Sequence, residues 1–113
     1  MKDTVNILGT EYKVLILNED DDPNLKKADG YMDQSVNKIV VVNPVKDDMS
    51  IEDLESYKKK VLRHEIIHAF LYESGLWNNS SSIDGWARSE EMTDWIAIQF
   101  PKMLKAFQEV GCL

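Results

Sequence analysis

Between Thr4 and Asn43 the apolar residues come in short β-branched runs separated by polar breaks; after Ser50 they recur at intervals of three and four. The first rhythm belongs to strands and the second to helices. "TVNILG" (4–9) and "EYKVLILN" (11–18) predict two strands, with Gly9-Thr10 as the turn between them. "NEDDDPNLKKADG" (18–30) predicts a polar loop. "GYMDQ" and "KIVVVN" (38–43) predict a hairpin closed through "SVN", and Pro44 ends its second strand.

Ser50 followed by Asp53 resembles a capping box with Asp in place of Glu, so a helix is expected from Ile51 to about Ser74. Gly75 is its C-cap. "LWNNSSSIDGWAR" (76–88) predicts a loop, and Ser89 is the N-cap of a second helix. Ile96, Phe100, Met103, Leu104 and Phe107 keep helical spacing through Pro101, which predicts one kinked helix or two nearly collinear ones. The expected fold is α+β, in one domain over residues 1–113: a small N-terminal sheet, antiparallel or mixed, packed on the first helix and on a second, C-terminal helix.

Composition removes several functions. A formal charge of -7 and a pI near 4.7 argue against affinity for nucleic acid or an anionic membrane. No apolar run approaches the length of a membrane span. The opening "MKDTVNILGTEYK" lacks the apolar core of a signal peptide, and one cysteine, Cys112, cannot form an internal disulfide; both point to the cytoplasm. The aspartates of the 18–30 loop do not make a calcium loop. Leu25 stands where that loop needs glycine, and Tyr31 where it needs its last glutamate.

The candidate chemistry lies in "VLRHEIIHAFLYESG". His64 and His68 are the only histidines of the chain, and four residues on a helix place them about 40° apart, one turn above the other. Two imidazoles so placed reach one metal ion. Glu65 falls to one side, able to address water at the ion without ligating it. Chance assembly of H-E-x-x-H from this composition has odds on the order of one in 700, which favours a metal site over two unrelated core histidines. The helix is amphipathic up to Lys60, with Lys58, Lys59, Lys60 and Arg63 on or near solvent-facing arcs, and apolar almost all round from Val61 to Leu71. The histidines therefore enter the core, where polar groups need partners.

A catalytic zinc takes three protein ligands and leaves one position open. With no third histidine, the ligand is a carboxylate or Cys112. The H-E-x-x-H-x-x-G-x-x-H pattern fails at Leu71 and Ser74. "SEEMTDW" offers the best donors. Glu90 and Asp94 share a face at the start of the second helix, one as ligand and the other as acceptor for a ligand imidazole. Glu91 is the next choice for the ligand; acids are also favoured at a helix N-terminus for electrostatic reasons alone.

Two histidines on one helix, a short loop, then E-x-x-x-D on the next resemble the gluzincin plan of zinc metallopeptidases. Within it, "ADGYMDQSVNKIVVVN", "VLRHEIIHAFLYESG" and "EEMTDWIAIQFP" resemble the compact ImmA/IrrE-like metallopeptidases of phages, mobile elements and bacterial regulators. Thr93 stands where that family usually has alanine, and the proline comes early. The resemblance covers roughly residues 10 to 101, and H-E-x-x-H is its specific part. It implies that His64, His68 and Glu90 hold Zn²⁺ and that Glu65 is the general base of peptide-bond hydrolysis. Tyr72, Tyr31 and Arg88 are candidate oxyanion donors, and the strand at 38–43 is a candidate edge for an extended substrate. The expected partner is a protein or peptide substrate. A chain this short builds an open cleft, so a docking partner protein, or a second copy contacting through Trp77 and Trp86, is expected to complete it. Two other functions fit the same residues: a non-enzymatic metal-stabilised regulatory domain, and hydrolysis of a non-peptide amide.

Overall fold

Alternation along the first strands sets the inner face of a sheet. Val5 and Ile7 on β1 (Thr4–Ile7), and Tyr12, Val14 and Ile16 on β2 (Thr10–Leu17), point one way, with Asn6, Glu11 and Lys13 opposite. The two strands pair antiparallel through a turn at Leu8-Gly9, one residue earlier than expected, because both residues take the left-handed region (φ 50° and 97°) that a tight hairpin requires. The computed structural model describes residues 3–45, 52–82 and 85–113.

β3 (Gly30–Asp33) and β4 (Lys38–Val42) form the expected antiparallel hairpin. β4 also pairs in parallel with β2, Val14 opposite Ile39 and Ile16 opposite Val41, so the sheet is mixed with the order β1-β2-β4-β3. This corrects one expectation. The strand at 38–43 is no edge, since both its sides are hydrogen-bonded; the edges are β1 and β3. Burial on both faces explains the unbroken apolar run Ile39-Val40-Val41, each fully buried.

The first helix, α1 (Leu54–Glu73), crosses one face of the sheet. Val61 and Ala69 join Ile7, Tyr12, Ile39 and Val41 in the core, with Tyr57, Leu62 and Ile66 at its margin. The helix begins three residues later than expected. Asp53 is itself the N-cap, its carboxylate accepting from the Ser56 amide at 3.0 Å, while Ser50 and Ile51 lie outside the described residues. Beyond Glu73, Gly75 takes φ 86° and turns the chain back into a short helix, α2 (Leu76–Asn79), where a loop was expected. Ser89 caps α3 (Glu90–Glu109) through the Met92 amide, and Pro101 lies within this one helix.

Two contacts fix α1 on the sheet. At its C-terminal end Glu73 accepts hydrogen bonds from Thr10 Oγ1 (2.7 Å) and Tyr12 Oη (2.8 Å) on β2. In the middle, β3 passes so close that a Cβ on Gly30 would lie 2.8 Å from Val61 Cγ1 and 2.9 Å from the Val40 carbonyl oxygen. Gly30→Ala is expected to push β3 off α1 and to cost about 1–3 kcal/mol in urea unfolding. A wild-type midpoint would show that the sheet and helix are not in this contact.

Candidate metal centre

Helical spacing stacks His64 and His68 on the face of α1 that meets the N-terminal turn of α3. Their rings lie 4.7 Å apart, edge to face. Glu90, in the first turn of α3, reaches both: Oε2 is 3.1 Å from His64 Nε2, and Oε1 is 2.6 Å from His68 Nε2. His64, His68 and Glu90 offer one ligand atom each within 4.8 Å of one another, a group that can hold a metal ion. Glu91, the alternative, is exposed and outside the group. Cys112 is exposed near the end of the chain.

Hydrogen-bond chemistry tests whether an ion fits. Asp94 Oδ1 lies 3.0 Å from His64 Nδ1, and an ionised carboxylate only accepts, so that ring nitrogen carries the hydrogen. Nε2 of a neutral His64 then presents a lone pair to Glu90 Oε2, acceptor against acceptor. A proton or a cation must lie between them. His68 has a different signature: the residue is 4 % exposed, Nε2 faces Glu90, and Nδ1 is buried without a partner among the described residues. Three carboxylates, Glu65, Glu90 and Asp94, gather here against Lys60, whose Nζ is 3.2 Å from Asp94 Oδ1. The donor set and the surplus of negative charge both fit a divalent cation.

The carboxyl groups are held differently. Burial pushes Glu65 up to about 7; the nearby His64 opposes this and Glu90 adds to it. Burial also acts on Asp94, but hydrogen bonds from His64 and Lys60 outweigh it and leave its carboxyl below the usual range. Burial lowers His68, against the attraction of Glu90, and so favours the neutral imidazole that a metal needs. Glu65 is only 6 % exposed yet lines the troughs on both sides of the ligand group.

Several residues sit where the sequence did not put them. Lys60 and Arg63 face α3 rather than solvent: Lys60 holds Asp94, and Arg63 Nε donates to the Ala97 carbonyl at 2.7 Å. Trp77 is a wall of the site, edge to face with His68 at 5.7 Å, because the left-handed Gly75 folds α2 back over α1. Of the candidate oxyanion donors, Tyr31 donates its hydroxyl to Asp22, Arg88 Nε donates to the Trp77 carbonyl, and Tyr72 packs edge to face on Trp77. Among the described residues none of the three is hydrogen-bonded to the ligand group. Comparison with family models, curated proteins and solved structures gives no match, so the site stands on its own geometry.

Titration with a divalent cation is expected to give about one ion per chain, lost in His64→Ala and His68→Ala. Asp94→Ala should weaken binding roughly ten- to a hundredfold through the released imidazole, and Glu91→Ala hardly at all. Full occupancy in both histidine variants would refute the site.

A second expectation concerns the metal-free protein. Glu65 has a folded value of about 7, above its ordinary 4.5. The fold therefore holds its proton, and the stability this contributes is complete below about pH 4.5 and lost as pH rises through 7. Glu65→Gln should abolish that loss, leaving the chelated variant more stable than wild type at pH 8 by on the order of 2 kcal/mol. Parallel stability-pH curves for the two would contradict a buried, proton-holding Glu65.

Proposed function

We propose that this protein is a zinc-dependent peptide hydrolase of the zincin type, akin to the ImmA/IrrE-like metallopeptidases. One observation carries the reading: a buried carboxyl, Glu65, stands beside a His-His-Glu ligand group without belonging to it. A purely structural metal site needs no such neighbour.

His64, His68 and Glu90 would hold the ion. Zinc bound there would supply a Lewis acid for the scissile carbonyl and acidify a water molecule. The chain's own residues do the rest. Asp94 keeps the hydrogen of His64 on Nδ1, so its Nε2 lone pair is directed at the ligand group. Lys60 anchors Asp94 from α1. The Glu65 carboxylate takes a proton from the attacking water and returns it to the leaving amine, and its burial raises its basicity above that of a solvated carboxylate.

Substrate binding falls to β3. Among the described residues no strand pairs with its outer edge, and Gly30, Tyr31 and Met32 line the same trough as Glu65, His68, Trp77 and Glu90. An extended peptide adding to this edge would gain main-chain hydrogen bonds next to the ligand group. The trough, about 290 Å³, is at the small end for an enclosed ligand site. Such an open groove suits a chain segment of a protein that contributes its own docking surface.

Glu65→Gln keeps the shape of the side chain and cannot accept the proton. It should retain the metal while turnover of a cleaved protein substrate falls at least about a hundredfold. Cleavage by this variant at the wild-type rate would remove the hydrolase mechanism and leave a metal-stabilised binding domain.

A further inference from the structure

Pro101 lies inside α3, on its exposed side, and leaves a gap in the hydrogen bonding of the helix. A proline has no N–H, so position 101 gives nothing to the carbonyl four residues earlier, that of Ala97, and the proline ring crowds the same oxygen. Ala97 is fully buried, so water does not reach the carbonyl, and a buried carbonyl left unpartnered is destabilising. The donor comes from the other helix. Arg63 Nε of α1 lies 2.7 Å from the Ala97 oxygen. Among the described residues the Arg63 guanidinium takes part in no ion pair; its charge is committed to a neutral main-chain oxygen.

We propose that Arg63, by taking up the carbonyl that Pro101 leaves open, is a positioning residue that sets where Glu90 stands relative to His64 and His68. Arg63 directly precedes the first histidine on α1. Ala97 lies seven residues beyond Glu90 on α3, so the two share a face about 10 Å apart along the axis. The other contacts between these helices join side chain to side chain: Glu90 to both imidazoles, and Asp94 to His64 and Lys60. Their carboxylates are partly free, with 72 % of the Glu90 side chain and 38 % of the Asp94 side chain exposed, and can swing by rotating their own bonds. The Arg63 contact is of another kind. Its acceptor belongs to the α3 main chain and moves only with the helix. A ligand constellation has to be held within roughly 0.5 Å, and a slip of one residue along α3 is about 1.5 Å. A main-chain anchor two turns from Glu90 prevents that slip. The role rests on the metal reading of His64, His68 and Glu90 and is independent of hydrolysis.

Three substitutions separate the donor from the charge and from the proline. Arg63→Met keeps the reach of the side chain and puts a methyl where Nε stands. Arg63→Gln puts an amide N–H donor at the same place without the charge. Pro101→Ala gives α3 its own N–H for the Ala97 carbonyl. Co²⁺ titration of the metal-free full chain, followed by the visible absorption of the bound ion, reads the site directly. Arg63→Met is expected to weaken Co²⁺ binding roughly tenfold or more and to alter the absorption, with Arg63→Gln within about threefold of wild type. In the Pro101→Ala background the Arg63→Met loss should shrink to about threefold or less. Urea unfolding of the same proteins without metal should follow the same cycle, the fall in midpoint from Arg63→Met being smaller once Pro101 is replaced. Circular dichroism monitors folding; if Arg63→Met alone unfolds, Arg63→Gln and the double variant decide. Wild-type Co²⁺ binding in Arg63→Met would overturn the positioning role. Equal losses in Arg63→Met and Arg63→Gln would assign the effect to the charge, and a loss undiminished by Pro101→Ala would break the link to the proline; either overturns the proposal. A wild type that takes up no Co²⁺ would overturn the metal reading and this role with it, a failure told apart from the others because it precedes any substitution.

Discussion

The contact of Glu90 with two imidazoles organises this molecule. α1 carries His64, Glu65 and His68 toward a core of Ile, Val and Tyr side chains, where ionisable groups are costly unless partnered. The partners come from α3: Glu90 faces both rings and Asp94 holds one from behind. Because Asp94 Oδ1 requires a hydrogen on His64 Nδ1, the contact between His64 Nε2 and Glu90 is satisfied only by a proton or a cation. The two helices are thus joined through a group that is complete when something positive is bound. Lys60 and Arg63 tie the same two helices beside it.

This arrangement makes the sheet a support for chemistry as well as a core. β4 is buried between β2 and β3, and its apolar run anchors the hairpin under α1. β3 is left with one free edge, and Gly30 lets that edge approach α1 within a distance no side chain would allow. The free main-chain groups of β3 therefore border the ligand group. Trp77 borders it opposite, carried there by the reversal at Gly75.

Much of this was legible in the sequence because it depends on local periodicity. Short β-branched runs between polar breaks marked four strands; three- and four-residue recurrence marked the long helices. A four-residue separation on a helix puts His64 with His68, and Glu90 with Asp94, whatever the rest of the chain does. The faces that meet are another matter. Alternation identifies a strand but not its neighbours, so the 38–43 segment read as an edge equally well until pairing with β2 placed it inside and left β3 free. The lysine and arginine of α1 read as solvent-facing because the sequence shows one helix at a time; only the packing of α3 gave Lys60 a carboxylate and Arg63 a carbonyl. Trp77 read as a surface contact in a loop, since no short-range signal says that a left-handed glycine will bring an indole onto a histidine two turns back. Short-range sterics and hydrogen bonding fix which residues share a face, and they act within a few residues. Which faces meet is decided by burial and hydrogen bonding between segments distant in the chain, and that required the whole fold.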